Sequence, residues 1–594
     1  MFFIEKVVSW RSRPLGVQRP RIEPFPERIT RDQPTFVFNY IRVVHTKLTL
    51  PKCLISHHPP VPSNPPTQSD HVHQVASPNF RGTFPSLVLI SLWANIVTSN
   101  SPHIAWIHAL DDDSLLNIFH LYRPPIFDGD ESDKDHASGG KTWDRERWWH
   151  KLAQVCQRWR SLLLGSASYL GLCLVCTWGT PVADMLARSP SLPLVIDYDE
   201  EGLSIAVEEE ETRRIILALK QRDRVRRVRL RVNLSIMPTF VMVIDEEYSA
   251  LEYLILESLG EYYTLAAVLP KTLELPRLRH LLLTGVVPPI GSRLLTTAVG
   301  LTTLCLYMQR PTAYFQPNIL LQCLSFMPQL EILLITTIFF HIPGDVERQL
   351  LDMPITTRVT LPNLRSFQFE GSRTYMEVIV HQIIAPRLEK LNIQLDNESI
   401  LSVPHLLQFM NTSESLRFDS AAFEFSLYRI FVKLYRREEA EVYALSMTAF
   451  RLAQARDMQL SSVAQIFNSL GLKISTVEHL SLNHTAYTYY HVHDEHEVDP
   501  TTEWRELLRL FRYVKTLNVH DHFVTEVSRC LELDDGEHSL ELLPELQELT
   551  YSGSDDTSDA FTSFIDARQD AGRPVALSAL SRASSPGFLN PLMR

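Results

Sequence analysis

Residues 361–369 read LPNLRSFQF, and variants of this nine-residue stretch recur along the chain. In its full form the stretch begins with an apolar residue followed by proline. A leucine lies three positions after the first apolar residue, and two further apolar residues then alternate with other residues. Copies with the proline occupy residues 275–283, 327–335, 385–393 and 543–551, and copies without it begin at Val225, Leu251, Leu301, Val477 and Val514. Because alternate side chains of a strand face the same side, the last two apolar residues point into one core. The stretch therefore predicts a short, half-buried β-strand.

The spacing of these strands indicates a repeat. The leucines at 251, 278, 301, 330, 364 and 388 are separated by 27, 23, 29, 34 and 24 residues, close to the roughly 20–29 residues of leucine-rich repeats. Helix-like stretches lie between strands, for example at 212–221 and 319–327. One strand–helix unit cannot bury its apolar face alone, so neighbouring units must stack. We expect an α/β fold in which residues 165–580 form an irregular leucine-rich-repeat solenoid, with Leu281, Leu333 and Leu391 buried between sheet and helices.

The two ends of the chain and one internal region lack this repeat. Residues 1–80 hold 12 of the 37 prolines and ten Lys/Arg against five Asp/Glu. Prolines at this density disfavour helices and strands alike, so 1–105 is predicted to be a mostly disordered, basic tail. Residues 581–594 are expected to form a C-terminal tail. Within 397–475 the pattern degenerates, and the number of units there cannot be counted.

Residues 106–163 have a helical pattern instead. Residues 112–114 (DDS) offer side-chain oxygens to cap a helix, and apolar residues follow at helical spacing: Leu115, Ile118, Phe119 and Tyr122. Pro124 and Pro125 end this helix. A polar insert at 123–147 is predicted to be a surface loop, and a second set of apolar residues follows at steps of three and four: Trp149, Leu152, Val155 and Trp159. The pattern predicts a first helix and then a second helix or helix pair, and thus a small module of up to three helices.

Two segments of this module resemble the F-box of fungal, basidiomycete-type F-box proteins with irregular leucine-rich repeats. Residues 109–119 (ALDDDSLLNIF) resemble its opening helix, although Asp111 occupies the usual proline position, and residues 149–160 (WHKLAQVCQRWR) resemble its later helix. The segment 560–574 is similar to the final repeat helix and turn of that family. The resemblance implies that the box binds a Skp-type adaptor of a cullin–RING ubiquitin ligase, while the repeats hold an unknown protein substrate. The partner-binding residues that it implies are Leu110, Leu115, Leu116, Ile118, Phe119, Leu152, Val155, Cys156, Trp159 and Arg160.

Other interpretations of the same residues are a helical cap on the solenoid, a repeat scaffold that never enters a ligase, and an enzyme whose site lies within 397–475. Asp111 favours the scaffold, because a box that has lost its proline could have lost its adaptor. An enzyme would require a clustered nucleophile, base and acid, and the sequence shows none.

Three short motifs match chemical sites only in part. Cys173 and Cys176 have the spacing of a metal-binding pair, but no second pair supplies the four ligands that zinc needs, and alternation would place the sulfurs on opposite faces. The acidic, histidine-rich segment 491–497 lacks the helical spacing of a metal site, and 139–142 (GGKT) lacks the earlier glycine of a phosphate-binding loop. We expect two core cysteines and two surface loops, with no catalytic residue, metal or cofactor.

The densest basic run, 222–231 (RDRVRRVRLR), alternates arginines with apolar residues. Such arginines project from a strand, where they form either a positive surface for an acidic partner or the solvated charge of an edge strand. Over the whole chain the formal net charge is −12, so a nucleic-acid partner is not expected. No apolar run approaches the 18 or so residues that span a bilayer, and the seven cysteines are scattered. These features predict a protein without a membrane partner that resides in the cytoplasm, the nucleus or both.

Overall fold

The computed structural model describes residues 110–124, 146–189, 192–200, 205–259, 266–308, 315–337, 357–395, 402–426, 429–437, 443–450, 457–484, 501–520, 523–532, 542–552 and 559–579. All of them belong to the unit Pro85–Arg594. The predictions for 1–105, for most of the 123–147 insert and for 581–594 lie outside the described residues.

The described helices are α1 (Asp112–Tyr122), α2 (Trp148–Ala153), α3 (Gln157–Gly165), α4 (Ala167–Leu170), α5 (Val182–Arg188), α6 (Ile205–Leu219), α7 (Met237–Val243), α8 (Arg293–Thr297), α9 (Pro317–Leu324), α10 (Arg373–Val380), α11 (Pro404–Thr412), α12 (Asp457–Leu470), α13 (Thr501–Arg509), α14 (Phe523–Leu531) and α15 (Thr562–Asp570). A 3-10 helix, Gly471–Thr476, follows α12.

The described strands are β1 (Leu174–Cys176), β2 (Leu194–Asp199), β3 (Val225–Asn233), β4 (Tyr253–Leu259), β5 (Ala267–Val268), β6 (His280–Thr284), β7 (Val286–Val287), β8 (Thr303–Tyr307), β9 (Ile332–Thr336), β10 (Val359–Thr360), β11 (Ser366–Gly371), β12 (Ile383–Ile384), β13 (Lys390–Leu395), β14 (Ser420–Phe425), β15 (Arg429–Tyr435), β16 (Tyr443–Phe450), β17 (His479–His484), β18 (Thr516–His520), β19 (Glu548–Ser552) and β20 (Ala576–Ala579). Every strand that the nine-residue motif predicts is among them.

Sixteen of these strands form one sheet in the order β1-β2-β3-β4-β6-β8-β9-β11-β13-β16-β15-β14-β17-β18-β19-β20. Neighbouring strands are parallel, except that β15 is antiparallel to both β14 and β16. Strands β5 and β7 form a separate two-stranded parallel sheet, and so do β10 and β12. The fold is therefore mixed α/β, as the sequence predicts.

The motif folds as a turn followed by a strand. In the copy at 275–283 the amide of Leu278 donates to the carbonyl of Leu275 over 3.1 Å, which closes a β-turn with Pro276 in its second position. Proline favours that position because its ring fixes the backbone angle that the turn requires. The same bond joins Leu330 to Met327 (3.2 Å). In the copies that carry it, the proline thus marks the turn that leads into the strand.

A ladder of shared carbonyls connects the strand beginnings. The carbonyl of Glu252 accepts from the successive amides of Arg279 and His280, at 2.8 and 3.0 Å. The carbonyl of Arg279 in turn accepts from the amides of Thr302 and Thr303, and the pattern continues through Glu331 and Arg365 to Glu389. It resumes at the carbonyl of Asp419 and runs through Glu478 and Lys515 to Gln547. The backbone hydrogen bonds at the strand beginnings therefore repeat along the chain, just as the leucines do.

The sheet buries one of its faces. Leu281, Leu333 and Leu391, which the motif places inward, are at most 1% exposed and share one apolar core with the helices. The residues between them, such as Leu282 and Leu334, are partly exposed on the opposite face. We call that opposite face the open face. The predicted burial of the three leucines is confirmed.

The region where the motif degenerates contains the irregular part of the sheet. After α11 the chain forms β14, turns back along β15, and returns along β16, which pairs with β13. Strand β17 then pairs with β14, so these three strands enter the sheet in reverse order. The repeat could not be counted there because a hairpin-linked strand replaces the helix between neighbouring strands.

Candidate protein-docking surfaces

The helices α1 to α4 form a module with its own apolar contacts. Leu115 and Phe119 of α1 are buried, and the ring of Phe119 meets the indole of Trp159 edge-on at 5.0 Å between centroids. Trp159 lies in α3, and Leu163 in the same helix is also buried. Three helices occupy the described part of the predicted module, and α4 follows directly.

Asp111 sets the beginning of α1. Its side-chain Oδ1 accepts a 2.6 Å hydrogen bond from the amide of Ser114, and this bond lowers the pKa of the Asp111 carboxyl. The expected cap was within residues 112–114, so the cap lies one residue earlier, and Asp112 and Asp113 form the first helical turn. Acidic residues are favourable there because the backbone amides at a helix start carry partial positive charge.

Arg158 ties α3 to the start of α1. Its Nη2 donates to Asp112 Oδ1 and to the carbonyl of Leu110, both over 2.7 Å. Two residues later, Arg160 Nε donates to the carbonyl of Ala153 over 2.9 Å, which links α3 to the end of α2. These bonds hold the helices of the module in a fixed arrangement.

The ten residues implied by the resemblance separate into three groups. Leu115, Phe119 and Trp159 are buried core residues. Leu110, Leu116, Leu152 and Cys156 are partly buried and pack against that core. Ile118, Val155 and Arg160 are exposed. Only the last two groups are accessible to a partner.

Two residues outside that set extend the exposed apolar surface of α1. Ile118 is 42% exposed, Leu121 79% and Tyr122 48%, and the three lie on one side of the helix at i, i+3 and i+4. We call these three residues the α1 stripe. Sequence reasoning assigned Tyr122 to the helix but missed Leu121, although its spacing from Ile118 was the available signal.

The module also contacts the residues at both ends of the edge strand β1. The indole N–H of Trp149 donates to the carbonyl of Cys173 over 3.1 Å, immediately before β1. Arg147 Nη2 donates to Thr177 Oγ1 over 2.6 Å at the other end of β1. These contacts give the helices a structural role at the end of the sheet, independent of any partner.

The arginines of β3 are paired with acids. Arg231 lies 3.4 Å from Asp199 and 3.7 Å from Glu257, while Arg229 lies 3.8 Å from both Asp197 and Glu257. Strand β3 lies between β2 and β4, so the interpretation as an edge strand is wrong. The open face at β3 therefore carries a network of ion pairs, in which the cations are compensated by acids of the flanking strands.

Asp197 is the most buried acid of this network. It is 7% exposed, and its Oδ1 has no hydrogen-bond partner among the described residues. Burial raises its pKa to about 7, partly opposed by the charge of Arg229. A carboxyl in this position titrates near neutral pH because its charged form is poorly solvated.

Cys173 and Cys176 belong to separate apolar clusters. Cys173 packs with Val175 and Val195, whereas Cys176 belongs to the main core. Burial raises the pKa of Cys173, and it raises that of Cys176 to about 11. The two sulfurs are thus separated, as alternation predicts, and both favour the thiol form.

A strip of apolar side chains crosses the open face. Ile255, Leu282, Cys305 and Leu334 are partly exposed and lie in register on β4, β6, β8 and β9. We call these four residues the apolar strip. On the next strands the same register position holds Gln368 and then Asn392. The strip therefore lies between the ion-pair network and a row of amides.

The structure describes the remaining candidate sites only in part. Segments 139–142 and 491–497 lie outside the described residues. Among the residues that the structure does describe, no group of three or more His, Cys, Asp or Glu side chains could hold a metal ion. The described part of 397–475 consists of α11, α12, the 3-10 helix and strands β14 to β16.

None of the helices in the described ranges combines the length and apolar character needed to cross a bilayer. Neither a comparison with protein-family models nor a search of curated proteins gives a match to this chain.

Proposed function

We propose that this protein is the substrate-recognition adaptor of an SCF-type (Skp–cullin–F-box) ubiquitin ligase, with the helical module binding a Skp-type adaptor protein. The α1 stripe carries this proposal. It presents three large apolar side chains to solvent, while Leu115 and Phe119 of the same helix are already buried in the core. An exposed apolar stripe on a helix with a completed core favours a docking role over a packing role.

The stripe fits the way in which protein interfaces obtain their affinity. A few apolar anchors near the centre of an interface supply most of the binding energy. Leu121 is the best candidate anchor, because it is the most exposed of the three. Val155, at the end of α2, is also exposed and belongs to the residues implied by the resemblance.

The target would bind to the large sheet. The repeated turn, strand and shared carbonyl support the interpretation of 165–580 as an irregular leucine-rich-repeat solenoid, interrupted by β14 to β16. Its open face offers charged, apolar and amide side chains in separate zones. In this proposal the chain performs no chemistry and brings a target to the ligase, in the cytoplasm or the nucleus.

A second candidate function is a repeat scaffold that never enters a ligase. The hydrogen bonds of Trp149 with Cys173 and of Arg147 with Thr177 favour it, because they join the module to both ends of the edge strand β1. Exposed sheet edges pair with other chains unless something protects them, so protection of this edge would by itself explain why the helices are present. Adaptor binding distinguishes the two functions.

The experiment is co-purification of the full chain with a Skp-type adaptor, comparing the wild type with Leu121→Asp. Leu121 is 79% exposed, so the aspartate leaves the fold intact but places a charge in the docking surface. The matched control is Met242→Asp on α7, where the methionine is 76% exposed on a different helix.

We expect the wild type and Met242→Asp to retain the adaptor and Leu121→Asp to lose it. Absence of the adaptor from the wild-type preparation would contradict the ligase function and leave the scaffold. Equal retention by all three proteins would show that the α1 stripe is not the docking surface.

A further inference from the structure

The apolar strip has a regular spacing across the sheet, and this spacing favours one kind of partner. Leu282 on β6 pairs in register with Ile255 on β4 and with Cys305 on β8, and Cys305 pairs with Leu334 on β9. One apolar side chain therefore stands on each of four consecutive strands, at the same height along the strands. The strip runs across the sheet at right angles to the strand direction.

The described side chains on both sides of the strip, at the same register position, carry no charge that lacks an opposite partner. On one side, Arg229 lies 3.8 Å from both Asp197 and Glu257. On the other side are the amides of Gln368 and Asn392. A partner that covers the strip must therefore present an apolar surface, with polar but not strongly charged groups at its margin. This matching of charge disfavours a nucleic acid or a highly acidic peptide.

The spacing of the strip distinguishes between peptide conformations. Adjacent strands lie about 4.8 Å apart, so three steps between four strands cover roughly 14 Å. A helix lying across the strands presents an apolar residue about every 5.4 Å, which covers roughly 16 Å in three turns. An extended peptide presents a side chain on one face about every 6.7 Å, or roughly 20 Å in three steps. The helix matches the strip closely, and the extended peptide drifts out of register by more than one strand.

We propose that the apolar strip binds an amphipathic helix of the target protein, lying across the strands with an uncharged apolar stripe at i, i+4, i+7 and i+11 against Ile255, Leu282, Cys305 and Leu334. This proposal rests on the proposed function in that the open face is the surface that holds the target. It adds the conformation, direction and chemistry of the bound segment.

The experiment is selection of binders from a displayed library of random 18-residue peptides on the immobilised full chain. Enriched peptides are then measured by fluorescence anisotropy against the wild type, Leu282→Asp and Asn518→Asp. Asn518 is the matched control, because it occupies the middle of β18, is partly exposed, and lies on the open face in register with Ser481 and Thr550. Both variants add one aspartate at the same depth in the sheet.

We expect enriched peptides with apolar residues at helical spacing, whose affinity falls about tenfold or more for Leu282→Asp and stays unchanged for Asn518→Asp. Enrichment of peptides with strict alternation of apolar residues, equal binding to Leu282→Asp, or no enrichment at all would overturn the proposal. Sedimentation of the wild type as a dimer that Leu282→Asp dissociates would also overturn it, since the strip would then bind a second copy of the chain.

This result is separable from the proposed function. Adaptor co-purification depends on the α1 stripe, so Leu282→Asp should retain the Skp-type adaptor at the wild-type level. A chain that binds helical peptides without the adaptor supports the strip and removes the ligase. A chain that binds the adaptor but no helical peptide supports the ligase function and contradicts the proposal for the apolar strip.

Discussion

The phenyl ring of Phe119 meets the indole of Trp159 edge-on, with centroids 5.0 Å apart and ring planes at 66°. Phe119 belongs to α1 and Trp159 to α3, so this contact joins the first and third helices of the module. Both side chains are almost completely buried. The helix that carries the α1 stripe is therefore held against α3 by a buried aromatic pair.

Replacing Phe119 by alanine should destabilise the module by about 3–5 kcal/mol, as for other buried aromatic residues. Chemical denaturation followed by tryptophan fluorescence would measure the change, with Trp159 as one of the nine tryptophans that contribute to the signal. Tyr122→Ala is the control: Tyr122 is 48% exposed, so the cost should be about 1 kcal/mol or less. Equal effects of the two changes would contradict the assignment of core and surface in α1.

Leu333→Ala should cost about 2–5 kcal/mol, because Leu333 is fully buried in the core between sheet and helices. Leu334→Ala, one residue later, should cost much less because Leu334 is partly exposed on the open face. Hydrogen exchange should show faster opening around β9 for Leu333→Ala, with the effect extending to β8 and β11, since the units of a repeat support their neighbours. A larger effect from Leu334 would reverse the assignment of the two faces.

Asp197→Asn should make the protein less sensitive to pH between about 4 and 7. The folded pKa of Asp197 is about 7, above the usual value near 3.9, so the folded state keeps a proton that the unfolded state releases. The wild type therefore loses stability as pH rises through this interval, by up to about 1.4 kcal/mol for each pH unit. Thermal midpoints at about pH 4 and pH 7 would measure the difference.

The asparagine removes that titration while Arg229 keeps its contact with Glu257. We expect the thermal midpoint of Asp197→Asn to rise relative to that of the wild type as pH increases. Identical pH profiles for the two proteins would show that Asp197 is ionised throughout.

Gly371→Ala should destabilise the end of β11. The φ of Gly371 is +146°, and an added Cβ would collide with the side chain of Thr337 and approach its carbonyl oxygen at 2.9 Å. Backbone strain of this kind costs about 1–3 kcal/mol before the collision is counted. Gly165→Ala is the control, since a Cβ there meets no atom within 4 Å and alanine suits the helix better. Differential scanning calorimetry should show a lower midpoint for Gly371→Ala and no loss for Gly165→Ala.

The strands that the sequence predicts correctly share one physical cause. Apolar residues at three-residue and two-residue spacing, such as Leu330, Leu333 and Ile335, can all be buried only if a turn leads into a strand with one face inward. Local sequence therefore determined the repeated unit. The ion pairs on the open face could not be predicted from local sequence. The acids Asp197 and Glu257 lie 32 and 28 residues from Arg229 in the chain, and the sequence around Arg229 does not identify them as its partners.

The parts that sequence reasoning missed depend on pairing between distant segments. Strands β14, β15 and β16 are rich in apolar residues, but no local sequence feature indicates that β16 pairs with β13 and β14 with β17. The position of β3 inside the sheet is likewise a property of β2 and β4. In the candidate site, the residues implied by the resemblance were identified, but burial decides which of them face outward, and burial follows from how α1 packs on α3.

The reverse order of β14, β15 and β16 has a consequence for how the chain acquires its structure. When β14 leaves the ribosome it cannot pair with β13, because the position beside β13 belongs to β16, which is synthesised later. The strands up to β13 can assemble one after another, whereas growth of the sheet must then pause until two more strands have been made. We expect the nascent chain to fold in two stages separated at this point, with the second half dependent on the hairpins of β15. Arrested nascent chains in which β14 has emerged from the ribosome but β16 has not should therefore protect strands β1 to β13 from proteolysis, while β14 itself remains open to cleavage.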